Sequence, residues 1–248
     1  MPGFIINGVE HPVAGLNVRN FHDDSRFTLR MPNDGRARRK TATGKWHWIR
    51  GLFLHVTGGP VTPDYVTNQA ARILPGIGPE CSDDERILRS WTLSDSSGGA
   101  QLVLDFDASV LNTCDLLTDA AYAQTSCNEN FDALEMLRGR SDGRMYDGQL
   151  DAAVLLCDAF SRLMGVQRQF HAPYRAYRPV PRLAAGGDDC VVFFGHRDQT
   201  DGRGPIDPGD PIYDKLRAAG YEAFDFSRSE DLEVWRGRQV ELQKMGFY

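Results

Sequence analysis

No stretch of this chain is long and apolar enough to cross a bilayer, which takes about 20 consecutive apolar residues. Its apolar runs, such as Val191-Val192-Phe193-Phe194, stop after a few positions. Paired cysteines are missing too. The five present, at 81, 114, 127, 157 and 190, are odd in number and share no paired spacing. That excludes the disulfide framework of a small secreted domain. Cys157 falls on an apolar helical face and Cys190 at a strand start, where buried free thiols are common. Positive charge is not in excess: 28 Lys and Arg stand against 34 Asp and Glu, a net charge of -6. A general nucleic-acid binder needs the opposite balance to neutralise phosphates. One basic cluster, Arg36-Ala37-Arg38-Arg39-Lys40, reads as a solvated loop that can also meet an acidic polymer. Internal repeats and low-complexity tracts are absent. The opening MPGFIINGVEHPVAG lacks the basic start and apolar core of a secretory signal. The expectation is a protein made in a reducing cytoplasm without a signal peptide, acting elsewhere only after release or injection.

What is present suits a globular protein. At 248 residues, with 41% hydrophobic and 25% charged, the chain can build a sizeable core as one large domain or one domain with an appendage. FIING and GLNVRNF read as short strands within residues 1–30, and 31–46 as a loop. WIRGLFLHVTGG, 48–59, is an apolar run ending in His and then Gly-Gly. Thr62–Ile73 reads as a helix, with Thr62 as N-cap and Pro63 in the first turn. QLVLDFDASV, 101–110, alternates apolar and polar residues as a half-buried strand does. ALEML, 133–137, is a short apolar run flanked by charge and fits strand or helix. Residues 146–164 place Leu150, Val154, Cys157, Ser161 and Met164 on one helical face, with a stop at Gly165. DDCVVFFG reads as a buried strand and DPIYDKLRAAG as a helix ended by Gly220. The mixture lacks a strict βαβ rhythm. The fold class expected is α/β, a mixed β-sheet flanked by helices.

Two of these strands finish on a histidine. His55 follows Gly51-Leu52-Phe53-Leu54, and His196 follows Val192-Phe193-Phe194-Gly195. As neighbouring central strands they bring two imidazoles to one sheet edge. Asp207, set in Asp207-Pro208-Gly209, returns a carboxylate eleven residues beyond His196. Two neutral imidazoles and one carboxylate suit zinc, and three protein ligands leave its fourth position open. Taken singly, each has a plainer reading as a strand-end histidine or an ordinary turn. His11 and His22 read as surface residues, and His171 as a loop residue without an identifiable partner. His47, within Lys45-Trp46-His47-Trp48, reads as part of a packed aromatic cluster.

His55-Val56-Thr57 with Gly195-His196-Arg197-Asp198 and Asp207-Pro208-Gly209 resembles the zinc-dependent N-acetylmuramoyl-L-alanine amidases of the type 2 family. That family includes phage lysozyme-like amidases and shares its fold with peptidoglycan recognition proteins. QLVLDFDASV resembles the strand carrying the family's Asp-x-Asp-Gly hairpin, and NENFDALEM its Asn…Ile-Gly-Ile-Glu segment. The order of elements agrees over roughly residues 48–226, with weak identity between the motifs. The resemblance implies zinc as cofactor, with His55, His196 and Asp207 as ligands and Glu135 as general base. It implies peptidoglycan or muropeptides as the partner, with Tyr122 and Asn128 near the substrate groove, while the oligomeric state stays open. The alternative for Glu135 is a surface glutamate beside Met136 and Leu137.

Two departures stand out. Many family members carry a lysine two positions before the aspartate, where this chain has Pro205. Arg203 is then the nearby cation left to stabilise the oxyanion, unless it is a solvated loop arginine. The family's frequent Trp-His appears here as Ala121-Tyr122-Ala123. SEDLEVWRGRQVELQKMGFY closes the chain with Ser229 as N-cap and Trp235, Gln239, Leu242 and Met245 at helical spacing. It resembles the first helix of a small peptidoglycan-binding domain, or it packs on the catalytic domain. Expected boundaries are therefore 1–228 for a zinc amidase domain with an N-terminal extension and 229–248 for this helix. Cleavage of the amide between N-acetylmuramic acid and L-alanine is the activity implied. A non-catalytic peptidoglycan-binding module and another zinc amide hydrolase on the same fold remain the alternatives.

Overall fold

The computed structural model describes residues 2–20, 49, 51–57, 99–119, 131–138, 144–171, 193–199 and 207–225, with 228, 230, 231, 233, 234 and 237. Strands β1 (Gly3–Ile6) and β2 (Val9–Pro12) form an antiparallel hairpin. Its turn residues Asn7 and Gly8 sit at φ 52 and φ 74. Asn-Gly is the pair that tolerates the two left-handed positions of such a turn. The Asp115 carboxylate fastens this turn to the body by accepting the N–H groups of Asn7 and Gly8 at 3.0 and 2.6 Å.

The remaining strands are β3 (Asn17–Asn20), β4 (Gly51–Val56), β5 (Leu102–Leu104), β6 (Ser109–Asn112), β7 (Phe131–Met136), β8 (Gln169–His171), β9 (Phe193–Gly195) and β10 (Glu222–Phe224). They build one eight-stranded sheet in the order β10-β8-β9-β4-β7-β5-β6-β3. Every neighbouring pair is parallel except β5 with β6. The fold is the mixed sheet with helices expected from the sequence. Three helices are described: α1 (Asp147–Met164), α2 (His196–Gln199) and α3 (Asp210–Ala218).

Alternation along β4 sorts its side chains. Leu52 and Leu54 enter a core with Leu134, Met136, Phe193, Ala153, Leu156, Phe160, Ile212 and Leu216. Phe53 and His55 point to the other face, where Phe53 meets Phe194 edge-on at 5.0 Å and Phe194 meets Phe131 at 5.0 Å. Both faces of β4 are buried. Because β7, β4 and β9 run parallel and adjacent, their C-terminal ends share one edge, which is where open sheets of this kind place their sites.

Helix α1 stops where the sequence indicates. Gly165 adopts φ 68, and the Val166 N–H donates to the Ser161 carbonyl at 3.0 Å. Its buried stripe centres on Gln149, Ala153, Leu156 and Phe160, with Leu150 and Cys157 beside them and Val154 and Met164 at its half-buried edge. Gln149 points its amide back at the sheet, donating to the Leu137 carbonyl at 2.6 Å and to the Leu104 carbonyl at 3.3 Å.

Residues 101–110 correct the expectation of one half-buried strand. They form β5, a turn at 105–108 and the start of β6, with both strands fully buried. The alternation breaks because Asp105 and Asp107 serve the turn: they accept the N–H groups of Phe106 and Ser109 at 2.7 and 2.8 Å. Ala108 completes it at φ 66. The segment 133–137, open between strand and helix, lies in and just after β7. His171 is also corrected: it is a fully buried β8 residue, not a loop residue. The expected helix 62–73 lies outside the described residues. In the terminal segment, positions 230, 231, 233, 234 and 237 are helical, and the rest of it lies outside them.

Candidate metal centre

His55 is the penultimate residue of β4, and His196 is the first residue after β9 and the start of α2. Asp207 comes in from the loop before α3. The structure brings the three together: their ligand atoms lie within 4.8 Å of one another, and all three residues are buried. The two Nδ1 atoms are 3.2 Å apart. His196 Nδ1 is 3.4 Å from Asp207 Oδ2, and His55 Nδ1 is 3.8 Å from Asp207 Oδ1. Ligands bonded at 2.0–2.1 Å in a tetrahedron stand about 3.3–3.4 Å apart. The spacing therefore fits a small tetrahedral cation, and the donor set of two imidazoles and one carboxylate can hold one.

Asp207 is held from two sides. Its Oδ1 accepts the Val56 N–H at 2.8 Å, and its carbonyl accepts the Arg197 N–H at 2.7 Å. Burial alone would raise its carboxyl pKa. The imidazoles of His196 and His55 as hydrogen-bond partners, the charge of His55 and the Val56 N–H outweigh burial, holding the group well below the usual carboxylate range.

Behind the triad lies a second polar cluster. Asp198 is fully buried and accepts the Gly195 N–H at 2.8 Å and the Tyr213 hydroxyl at 2.6 Å, with His171 Nε2 3.8 Å away. The Arg197 guanidinium stacks on the Tyr213 ring at 4.7 Å and donates to Asp210 at 2.7 Å. These contacts lock the turn that presents His196. Asp198 is thereby engaged as an anchor.

Glu135 lies directly opposite His55 in the parallel β4–β7 register, so both side chains leave the same face of the sheet. It is half-buried. Three residues on, Arg138 is a residue that sequence reasoning left as flanking charge. It is buried, and its Nε donates to the Thr57 carbonyl at 2.6 Å. Burial draws its pKa down, while the negative charges of Asp207 and Glu135 act in the opposite direction. Only proximity to the triad marks this residue, and no motif announces it. Tyr122, Asn128 and Arg203 lie outside the described residues.

The chain is similar in structure to the Ph2119 endolysin from the Thermus scotoductus MAT2119 bacteriophage Ph2119. Identity is 14%, coverage 82% of this chain and 100% of that one, and the TM-score 0.41. It is also similar to bumblebee PGRP-SA, at 10% identity over 82% of this chain and 96% of that one, with a TM-score of 0.43. No family model and no curated protein matches the chain. Among the described residues, no helix is long and apolar enough to cross a membrane.

Proposed function

We propose that this chain is a zinc-dependent amidase that hydrolyses the amide between N-acetylmuramic acid and L-alanine in peptidoglycan. The observation that carries the reading is the convergence of His55, His196 and Asp207 at the C-terminal edge of β4 and β9. When bound, a zinc ion supplies Lewis acidity toward the carbonyl and brings the pKa of water to about 7. The residues do the rest. The Val56 N–H and the Arg197 N–H fix the aspartate so that its carboxylate faces the two imidazoles. Glu135, beside His55 on the next strand, takes the proton from the attacking water on its carboxylate. It returns that proton to the nitrogen of the leaving L-alanine amine. Tyr122 and Asn128 belong to the proposed muropeptide groove by the resemblance alone.

Metal analysis combined with mass spectrometry of digested peptidoglycan tests this reading. The expected result is about one zinc per chain, the number of open three-ligand sites, with stem peptides released bearing a free N-terminal L-alanine. His196→Ala should lose both. A metal-loaded protein that binds muropeptides and releases nothing is a binding module. Cleavage at a different amide makes it another hydrolase on this scaffold.

A further inference from the structure

We infer that Arg138 is the residue that takes up the negative charge arising on the attacked carbonyl oxygen. This inference rests on the amidase reading above. Hydrolysis of an amide passes through a tetrahedral species whose oxygen carries a full negative charge, and a fixed donor near that oxygen lowers the barrier. Arg203, the cation that the sequence offers, lies outside the described residues. Arg138 is held by two hydrogen bonds to Thr57.

Its backbone N–H donates to Thr57 Oγ1 at 3.1 Å and its Nε to the Thr57 carbonyl at 2.6 Å. Thr57 directly follows Val56, whose N–H holds Asp207 at 2.8 Å. Thr57 is itself tied to the end of β7 by its N–H to the Met136 carbonyl at 3.1 Å. The guanidinium is thus fixed at the sheet edge that carries the triad, three residues beyond Glu135. With Nε committed to Thr57, the two terminal nitrogens have no hydrogen-bond partner among the described residues. A planar guanidinium pinned by one N–H and presenting the others is a preorganised anion donor, because little side-chain entropy remains to be lost.

Charge balance points the same way. In a zinc-loaded site Asp207 and Glu135 together offset the dication, and both imidazoles are neutral as ligands. Arg138 then leaves one positive charge in excess, which suits an oxygen turning anionic. Arg197 does not compete for this role, since Asp210 and the Tyr213 ring hold it. A guanidinium keeps its charge throughout the working pH range. Burial draws the Arg138 pKa down, and the charges of Asp207 and Glu135 act against that.

The test is steady-state kinetics on a defined muropeptide, with metal content measured on each sample. The wild type is compared with Arg138→Ala, Arg138→Lys and Arg138→Gln. The glutamine variant keeps an N–H for the Thr57 carbonyl and serves if the alanine variant does not fold. The expected result is wild-type zinc content, a KM close to wild type and a kcat lower by about 10²–10³-fold. Lysine should recover part of the loss, since it restores the charge without the fork. An unchanged kcat in a metal-loaded variant overturns the inference. So does a raised KM at unchanged kcat, which would make Arg138 a binder of substrate carboxylate. Loss of zinc overturns it too, by showing that the arginine only balances the charge of the ligands. A metal-loaded wild type that cleaves nothing sinks the amidase reading and the inference with it, an outcome distinct from the other three.

Discussion

Pro208 fills the space in which a side chain on residue 195 would stand. A Cβ built on Gly195 would overlap Pro208 Cδ and would lie 2.6 Å from the Tyr213 hydroxyl. The glycine of Gly195-His196-Arg197-Asp198 and the proline of Asp207-Pro208-Gly209 are thus two halves of one contact. That contact seats Asp207 beside His196, and the Tyr213–Asp198 bond closes it from behind.

Gly195→Ala should therefore act on the metal site without touching a ligand. Overpacking of this kind costs about 1–3 kcal/mol. A displaced support behind a ligand typically weakens metal affinity by about 10–100-fold. Zinc titration and urea unfolding of the variant measure the two effects. Wild-type zinc affinity would show that Pro208 can move aside without carrying Asp207 along.

Glu135→Gln keeps size and hydrogen-bonding capacity and removes the proton acceptor. Zinc content should be unchanged while kcat falls by about 10²–10⁴-fold, the usual contribution of a positioned base. Near-normal turnover would remove Glu135 from the mechanism. Asp198 would not replace it, because the Gly195 N–H and the Tyr213 hydroxyl already hold that carboxylate.

The turn between β5 and β6 carries a residue in an unfavourable region. Ala108 sits at φ 66, where a Cβ meets the following carbonyl oxygen and glycine does not. Ala108→Gly should stabilise the protein, by up to about 1 kcal/mol once the added freedom of the unfolded chain is subtracted. The urea midpoint should rise at constant m-value. A lower midpoint would mean that the methyl group contributes packing worth more than the backbone relief.

Cys157 lies at 0% exposure on the inner face of α1. Burial, reinforced by the nearby charge of Asp158, pushes its thiol far above the ordinary range. The thiolate is the reactive form, so the folded protein should resist iodoacetamide at Cys157 even at mildly alkaline pH. Denaturation should then restore ordinary labelling. Peptide mass spectrometry before and after denaturation reads this directly, and rapid labelling of the native protein would place Cys157 outside the core.

The parts of the site that the sequence exposes are those whose signal is local. A strand that ends in His, a second like it and a rigid Asp-Pro-Gly can each be read within a few residues. The same holds for α1, where the apolar period and Gly165 mark body and end. Arg138 and Gln149 were missed because their meaning lies in remote partners: Arg138 meets Thr57 across 81 positions and Gln149 meets Leu104 across 45. Residues 101–110 misled because aspartates that serve a turn imitate the polar half of an alternating strand. His171 gave no signal, since its surroundings are built by Asp198 on a distant segment.

The place of β4 in the sheet constrains the order in which the molecule can be made. Strand β4 is the central strand of the site, and both of its neighbours come from far later in the chain: His55 pairs with Glu135 of β7 and Phe53 with Phe194 of β9. While the chain emerges from the ribosome, Gly51–Val56 stands as an unpaired apolar edge until β7 arrives, and its second edge waits for β9. Such long-range parallel pairing forms slowly and leaves sticky strand edges open in the interim. Fragments ending before Phe193 should carry one naked edge of GLFLHV and accumulate as insoluble material. Shielding of that edge during synthesis should then raise the share of the protein that a cell recovers in soluble form.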